Sequence, residues 1–282
     1  MSRYTKEKVF LVFSKTLTLF SFSFLLFFIF IIWIKGIKAI DVDFLFTQSR
    51  NFGADGGIFY QITGSLLIIS GAALLSFPIA LGAAVCSSEY LARKIVKDMT
   101  GTIIYALNGV PSIIFGVFGL IFFVNFLKTG ISWFVGSIVL ACMILPTIMA
   151  AALQAMENIP DMYRESATAL GLKKWNIITS VVIPQSFSGA LSGLLLGLAR
   201  AIGETAPIMF IATAFSGVLV PSSLFEPVTA LPTHILALSE NATNPEALTN
   251  AWGTAFVLVA IVFIFSSIAF LIRVNIKGIS QK

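Results

Sequence analysis

Six long apolar runs, almost free of charge, constrain what this chain can fold into. They lie near 14–34, 61–86, 101–126, 131–155, 186–214 and 252–272. Each has about the 20 residues an α-helix needs to cross the ~30 Å hydrocarbon core of a bilayer. In lipid every backbone N–H and C=O must be satisfied within the structure, which leaves helix bundles or closed barrels. A barrel would show short segments alternating apolar and polar residues, whereas these runs are continuous. The expectation is an all-α, polytopic membrane protein with six transmembrane helices. Composition agrees: 11% of residues are charged, against about 25% in soluble domains.

Charge placement sets the topology. With a cytoplasmic N-terminus, Arg3, Lys6, Lys8, Lys15, Arg93, Lys94, Lys97, Arg164, Lys173, Lys174, Arg273, Lys277 and Lys282 fall inside, and only Lys35, Lys38, Arg50 and Lys128 outside. This asymmetry obeys the positive-inside rule and predicts a multi-pass cell (inner) membrane protein with both termini cytoplasmic. The same scatter of cations excludes a nucleic-acid surface, which needs them clustered on one face. Thr16–Ile34 follows basic residues as a signal sequence would. Its 19 residues are too long for a signal core and no small-residue cleavage site precedes Lys35, so it predicts a retained anchor.

Helix 1 carries Phe20, Phe22, Phe24, Phe27, Phe28 and Phe30 all round its surface, as suits a peripheral, lipid-facing helix. The expected organisation is a segment 1–60 holding helix 1 and an external loop, a helical core 61–272, and a cytoplasmic tail 273–282. Lys35–Tyr60 and Pro221–Ala251 read as external loops. His234, the one histidine, falls in the second and is expected to be solvated, with no role. Cys86 and Cys142 lie inside apolar runs and read as buried small hydrophobes, too few for a disulfide framework or a metal site. One histidine and two scattered cysteines also leave no nucleophile–base set for an intramembrane enzyme.

The cytoplasmic loop 157–184 is the longest inner segment. Pro160 and Asp161 open a helix, and Gly171 supplies its C-terminal stop. A second short helix is expected from Lys173 towards Pro184, making a helix–Gly–helix knob with Leu170, Leu172 and Trp175 as apolar surface. Here the chain resembles the membrane subunits of binding-protein-dependent ABC importers, whose coupling motif is E-A-A, three residues, G, nine residues, I-x-L-P. Glu165, Ser166, Ala167, Gly171 and Val181-Val182-Ile183-Pro184 fall on that spacing with mild substitutions. The resemblance implies the type I importer (MetI-like) permease fold and docking of the knob on a separate ATPase subunit. No G-x-x-x-x-G-K-[ST] phosphate loop is present, so ATP and magnesium would be held by that partner and no cofactor by this chain, which is then not an enzyme.

Helix 5 holds Arg200 and Glu204 one turn apart in an otherwise uncharged stretch. Each costs about 2.5–3.5 kcal/mol at mid-membrane, so both should face protein or water. Gly189, Gly193 and Gly197 form a small-residue stripe, and the pair is expected on that same buried side. Pro207, beside Gly203, is expected to kink the helix just beyond. Two readings stay open at this level: an ion pair that only neutralises itself, or a guanidinium offered to an oxyanion.

Leu198-Ala-Arg-Ala-Ile-Gly-Glu-Thr-Ala-Pro-Ile208 is similar to the A-R-A-x-G-E-T-A-P signature of phosphate-specific ABC permeases. Gly109-Val-Pro-Ser-Ile-Ile-Phe-Gly116 and Leu145-Pro-Thr-Ile-Met149 match the same family, and Thr205-Ala206-Pro207 favours its PstA type over its PstC type. The resemblance implies a substrate pathway through Arg200, Glu204 and Thr205, with Gly203 and Pro207 letting the helix bend. It also implies a homologous PstC-type permease, two PstB-type ATPase subunits and an external PstS-type phosphate-binding protein as partners. The rival readings are a sulfate or molybdate permease, and an ion-coupled transporter using Glu204 for protons.

Overall fold

The computed structural model describes residues 3–91, 94–214, 220–241 and 243–279; Arg93 and Lys282 of the topology argument lie outside them. In chain order the helices are α1 (Arg3–Gly36), α2 (Val42–Phe46), α3 (Phe59–Val85), α4 (Lys94–Asn108), α5 (Ser112–Gly119), α6 (Trp133–Glu157), α7 (Asp161–Ala169), α8 (Lys174–Ile177), α9 (Ile183–Ala201), α10 (Ala206–Ile211), α11 (Leu231–Glu240) and α12 (Pro245–Ile279). A two-residue hairpin, β1 (Ser49–Arg50) with β2 (Asp55–Gly56), closes the first outer loop.

Among the described residues five stretches are long and apolar enough to span a membrane: Phe10–Ala39, Phe59–Tyr90, Trp133–Glu157, Lys174–Ala201 and Pro245–Val274. The sixth expected span, 101–126, is not one straight helix. Met99–Asn108 and Ser112–Phe126 meet at 85°. Pro111 has no N–H to continue the ladder and pushes Val110 out of helical geometry, so Gly109–Pro111 breaks the run.

α6 is the hub, buried between α3 and α9. Against α3, the Ser137 hydroxyl donates to the Ile68 carbonyl at 2.9 Å. Against α9, a Cβ at Gly189 or Gly193 would collide with the Ala155 or Ala151 methyl group, so only glycine allows this approach. α1 stands apart with almost all of its surface exposed. It touches α12 near its outer end, where a Cβ on Gly36 would meet the Trp252 carbonyl oxygen at 2.7 Å and Lys35 Nζ lies 4.8 Å from the Trp252 ring. Within this chain the Phe-rich face is exposed.

Three local expectations need correction. Lys174 to Ala201 forms one continuous span, so the second helix of the knob is the first turns of helix 5. A π-helical turn, Ile178–Val182, absorbs Pro184, whose missing N–H and ring would otherwise strain a regular α-helix. Cys86 and Cys142 are exposed on the chain's surface, because the outside of a membrane subunit is itself apolar. Finally, His234 is only 5% exposed.

His234 sits on α11, which folds back onto α3 and α12 beneath the outer loop. Its Nδ1 lies 3.5 Å from Gln61 Nε2, while its Nε2 and Gln61 Oε1 have no partner among the described residues. Loss of hydration pushes the imidazole down from 6.5 to about 4.

The knob ends α7 with a Schellman turn. Gly171 adopts φ +78°, its N–H donates to Thr168 O at 2.9 Å, and the Leu172 N–H donates to Ala167 O at 3.2 Å. Nothing lies within 4 Å of a Cβ built on Gly171, so the demand for glycine is conformational and not steric.

Two outcomes follow from these local geometries. Gly171→Val should loosen the turn by about 1–2 kcal/mol, read as faster limited proteolysis between Leu170 and Lys173, with Gly171→Asn much milder. His234 is held neutral in the fold but protonates below 6.5 when unfolded, so its stabilisation is complete above 6.5 and is lost as pH falls towards 4. The full effect is about 3 kcal/mol. Thermal unfolding in detergent should shift down between about pH 7 and about pH 5, and His234→Gln should flatten that shift.

Candidate functional site

The three sequence stretches singled out in helices 3, 4 and 5 come together. A Cβ on Gly116 of α5 would meet Pro207 Cα of α10 at 2.8 Å, and one on Gly119 would meet Val139 of α6 at 2.9 Å. Small residues thus seat α5 directly on the Thr205-Ala206-Pro207 segment. The Thr147 hydroxyl of α6 donates to Asn108 Oδ1 at 2.9 Å, tying the Leu145-Pro146-Thr147 turn to the break at Gly109. Asn108 was not singled out by sequence; a lone amide ahead of a Gly-x-Pro break is the signal that was available.

Helix 5 is broken and not merely kinked. α9 ends at Ala201, and the chain tightens through Gly203 N–H to Arg200 O at 3.1 Å and Glu204 N–H to Ala201 O at 3.2 Å. It restarts as α10 with Pro207 in the first turn, where a missing N–H costs nothing. α10 is anchored at its far end: the Ser132 N–H donates to Ile211 O at 2.9 Å, and Val228 pairs with Ala212 and Ala214.

The depth of the break follows from the packing of α9 on α6. Gly189 faces Ala155, Gly193 faces Ala151, and Gly197 faces Ile144 and Ile148. Each step of four residues along α9 moves about four back along α6, so Arg200 reaches the level of Ile144, near the middle of Trp133–Glu157. Charge, break and midpoint coincide, as in membrane transporters whose discontinuous helices line the substrate path.

The expected burial of the pair is half right. Glu204 is 16% exposed, but Arg200 is 43% exposed, with Nε 3.5 Å from Glu204 Oε1. The two helices part along the stripe: a Cβ would collide at Gly189 and Gly193, yet at Gly197 it would find Ile144 at a comfortable 3.4 Å. One turn further Ala201 is again buried, at 1% exposed, and it is the Arg200 side chain beside it that reaches the surface. Among the described residues the four Nη hydrogens of Arg200 have no protein acceptor, so the planar fork faces outward and is available.

In the knob, Glu165, Ser166 and Pro184 are exposed and Ala167, on the inner face of α7, is 5% exposed. Leu170, Met162 and Trp175 are 82%, 65% and 64% exposed in a segment that also carries Glu165, Lys173 and Lys174. An uncovered apolar patch with a charged rim marks a protein contact surface. Sequence reasoning passed over Arg164, which bonds to Glu89 at the end of α3, at 3.1 Å; the two are far apart in the chain and no motif announces them.

Comparison with known proteins agrees with this architecture. The family described as binding-protein-dependent transport system inner membrane component matches residues 76–277. The probable ABC transporter permease protein YqgI of Bacillus subtilis is 30% identical, covering 83% of this chain and 83% of that protein. The phosphate transport system permease protein PstA of Yersinia pestis is 32% identical over 83% of this chain and 78% of that one. Its counterpart from Pasteurella multocida is 28% identical over 95% and 94%.

Among solved structures, the inward-facing MetNI methionine ABC transporter superposes with a TM-score of 0.59 at 16% identity, over 76% of this chain and 97% of that one. A bacterial alginate ABC transporter does so with 0.59 at 17% identity, over 98% and 95%; both likenesses concern the fold. Permeases of this kind are transport subunits and not enzymes, since ATP hydrolysis lies in their partner subunits, and they work with an ATPase and a substrate-binding protein. The chain therefore belongs to the binding-protein-dependent transport system inner membrane component family, as a permease subunit of an ABC importer.

Proposed function

We propose that this permease translocates inorganic phosphate into the cell, as the PstA-type chain of its importer. The observation that carries the reading is the Arg200 fork, engaged only through Nε by Glu204 beside a mid-depth helix break. A phosphate oxygen pair suits the free Nη edge of a guanidinium, and Glu204 within reach tunes or releases that contact. Thr205 lies at the break, and Gly203 and Pro207 let α9 and α10 move relative to each other. The relatives from Yersinia pestis and Pasteurella multocida carry phosphate transport in their names, which supports the same substrate.

In this reading a PstC-type permease covers the open face of Arg200, so that phosphate passes between the two subunits. Two PstB-type ATPases hold ATP and magnesium and receive the knob formed by Glu165, Ser166, Ala167, Gly171 and, at the start of α9, Pro184. A PstS-type protein delivers phosphate outside, and both termini are cytoplasmic, in keeping with the cation asymmetry.

The decisive variants separate transport from self-neutralisation. Arg200→Gln should assemble normally and lose at least about tenfold in uptake of labelled phosphate, the scale of one charged hydrogen bond. Arg200→Gln with Glu204→Gln removes the stranded carboxylate and restores neutrality. The double variant should still hydrolyse ATP with its partners and still transport little. Near-normal uptake by it, at matched expression in vesicles, would make the pair a structural clip and remove Arg200 from the pathway.

A further inference from the structure

We propose that Glu89, Arg164 and Lys174 form a clamp through which the cytoplasmic knob drives α3, and with it the membrane bundle. The proposal rests on the reading that the knob docks on an ATPase, and goes beyond it by naming where the motion enters the membrane domain. α3 ends in a π-helical turn, Cys86–Tyr90, and Glu89 within that turn is 10% exposed at its side chain. Every donor of Arg164 is used. Nε and Nη2 donate to Glu89 Oε1 at 3.2 and 3.1 Å, and Nη2 also donates to Met156 O at 2.9 Å. Nη1 donates to Ile159 O at 2.9 Å and to Asp161 Oδ1 at 3.4 Å. Five N–H groups meet acceptors on the end of α3, the end of α6 and the start of α7, a pattern that lysine cannot reproduce.

The second grip comes from the other side of the Gly171 turn. Lys174 of α8 donates to the Glu89 carbonyl oxygen, and its ammonium lies 4.5 Å from the Tyr90 ring. Both limbs of the knob thus hold Glu89 in the turn that ends α3, and Lys174 also covers its neighbour Tyr90. The knob cannot shift without either carrying Glu89 along or stranding its buried carboxylate, and stranding is the costlier course. The π turn is where the pull arrives, and such turns are joints at which a helix can re-form its bonds with a changed direction. From there α3 transmits to α6 through Ser137 and Ile68. These are positioning residues: none needs to touch the transported anion.

Cys86 lies in the π turn with an exposed thiol, so the chain carries its own probe. With Cys142→Ser as background, the rate of Cys86 labelling by a maleimide is measured in the assembled complex in lipid, without nucleotide and with ATP trapped. The expected rates differ several-fold, and Glu89→Gln and Arg164→Lys should abolish the difference, in line with ordinary coupling strengths of about tenfold. Lys174→Met, at an exposed position, should reduce it. ATPase subunit should co-purify with the Glu89→Gln and Arg164→Lys variants and hydrolyse ATP. A wild-type rate blind to nucleotide, or variants that respond as the wild type does, would overturn the clamp. The readout involves no phosphate, so the substrate assignment stands or falls separately, and failure of docking would show instead as absence of ATPase from the wild-type complex.

Discussion

The glycine-only approach of α9 to α6 is the contact on which the remaining architecture depends. Lipid offers no hydrophobic force to press two helices together, so association rests on close packing and on backbone polarity satisfied within the bundle. Gly189 and Gly193 provide that contact in the half of the span nearer the knob. By Gly197 the fit is looser, and just beyond it a charged pair, a broken backbone and the end of α5 fall at one depth. The tight half holds the bundle together, and the proposed substrate path runs past the looser one.

The two ends of the fifth span do different work with related devices. Its inner end begins in the knob and passes through a π turn before Pro184, while its outer part breaks at Gly203–Thr205 and restarts with Pro207. Prolines are tolerated at both places because the local geometry has already given up the hydrogen bond each would remove. α3 has the same feature at its C-terminal end, where Cys86–Tyr90 is held by Arg164 and Lys174. Regular helices carry displacement along their length, and these irregular turns let its direction change.

How much of this could be read from the chain depended on whether the signal was local. The spans were legible because hydrophobic length is a property of consecutive residues, and Gly171 because a helix stop needs φ above zero at one position. The 85° bend was hidden by averaging: Gly109-Val110-Pro111 is flanked by apolar residues, so a hydropathy window runs straight across it. His234 was misjudged for the opposite reason. Leu231, Leu238 and their neighbours form an apolar helical face too short to count as a span, yet long enough to bury an imidazole against Gln61. The exposure of Arg200 beside a buried Ala201 depends on how α9 seats on its neighbours, and the Glu89–Arg164 contact on loop closure over a long separation; neither leaves a mark in nearby residues.

The central claim is that this chain is the phosphate-translocating half of an ATP-driven import pathway. Its most direct test is uptake of labelled phosphate by vesicles containing this chain, its permease partner, its ATPase and its binding protein, with ATP supplied at the knob side and excess sulfate or molybdate as competitors. The account predicts uptake that requires ATP, requires the binding protein on the opposite side, and resists both competitors. Uptake driven by an ion gradient without ATP, or an assembly that accumulates sulfate or molybdate in preference to phosphate, would contradict it.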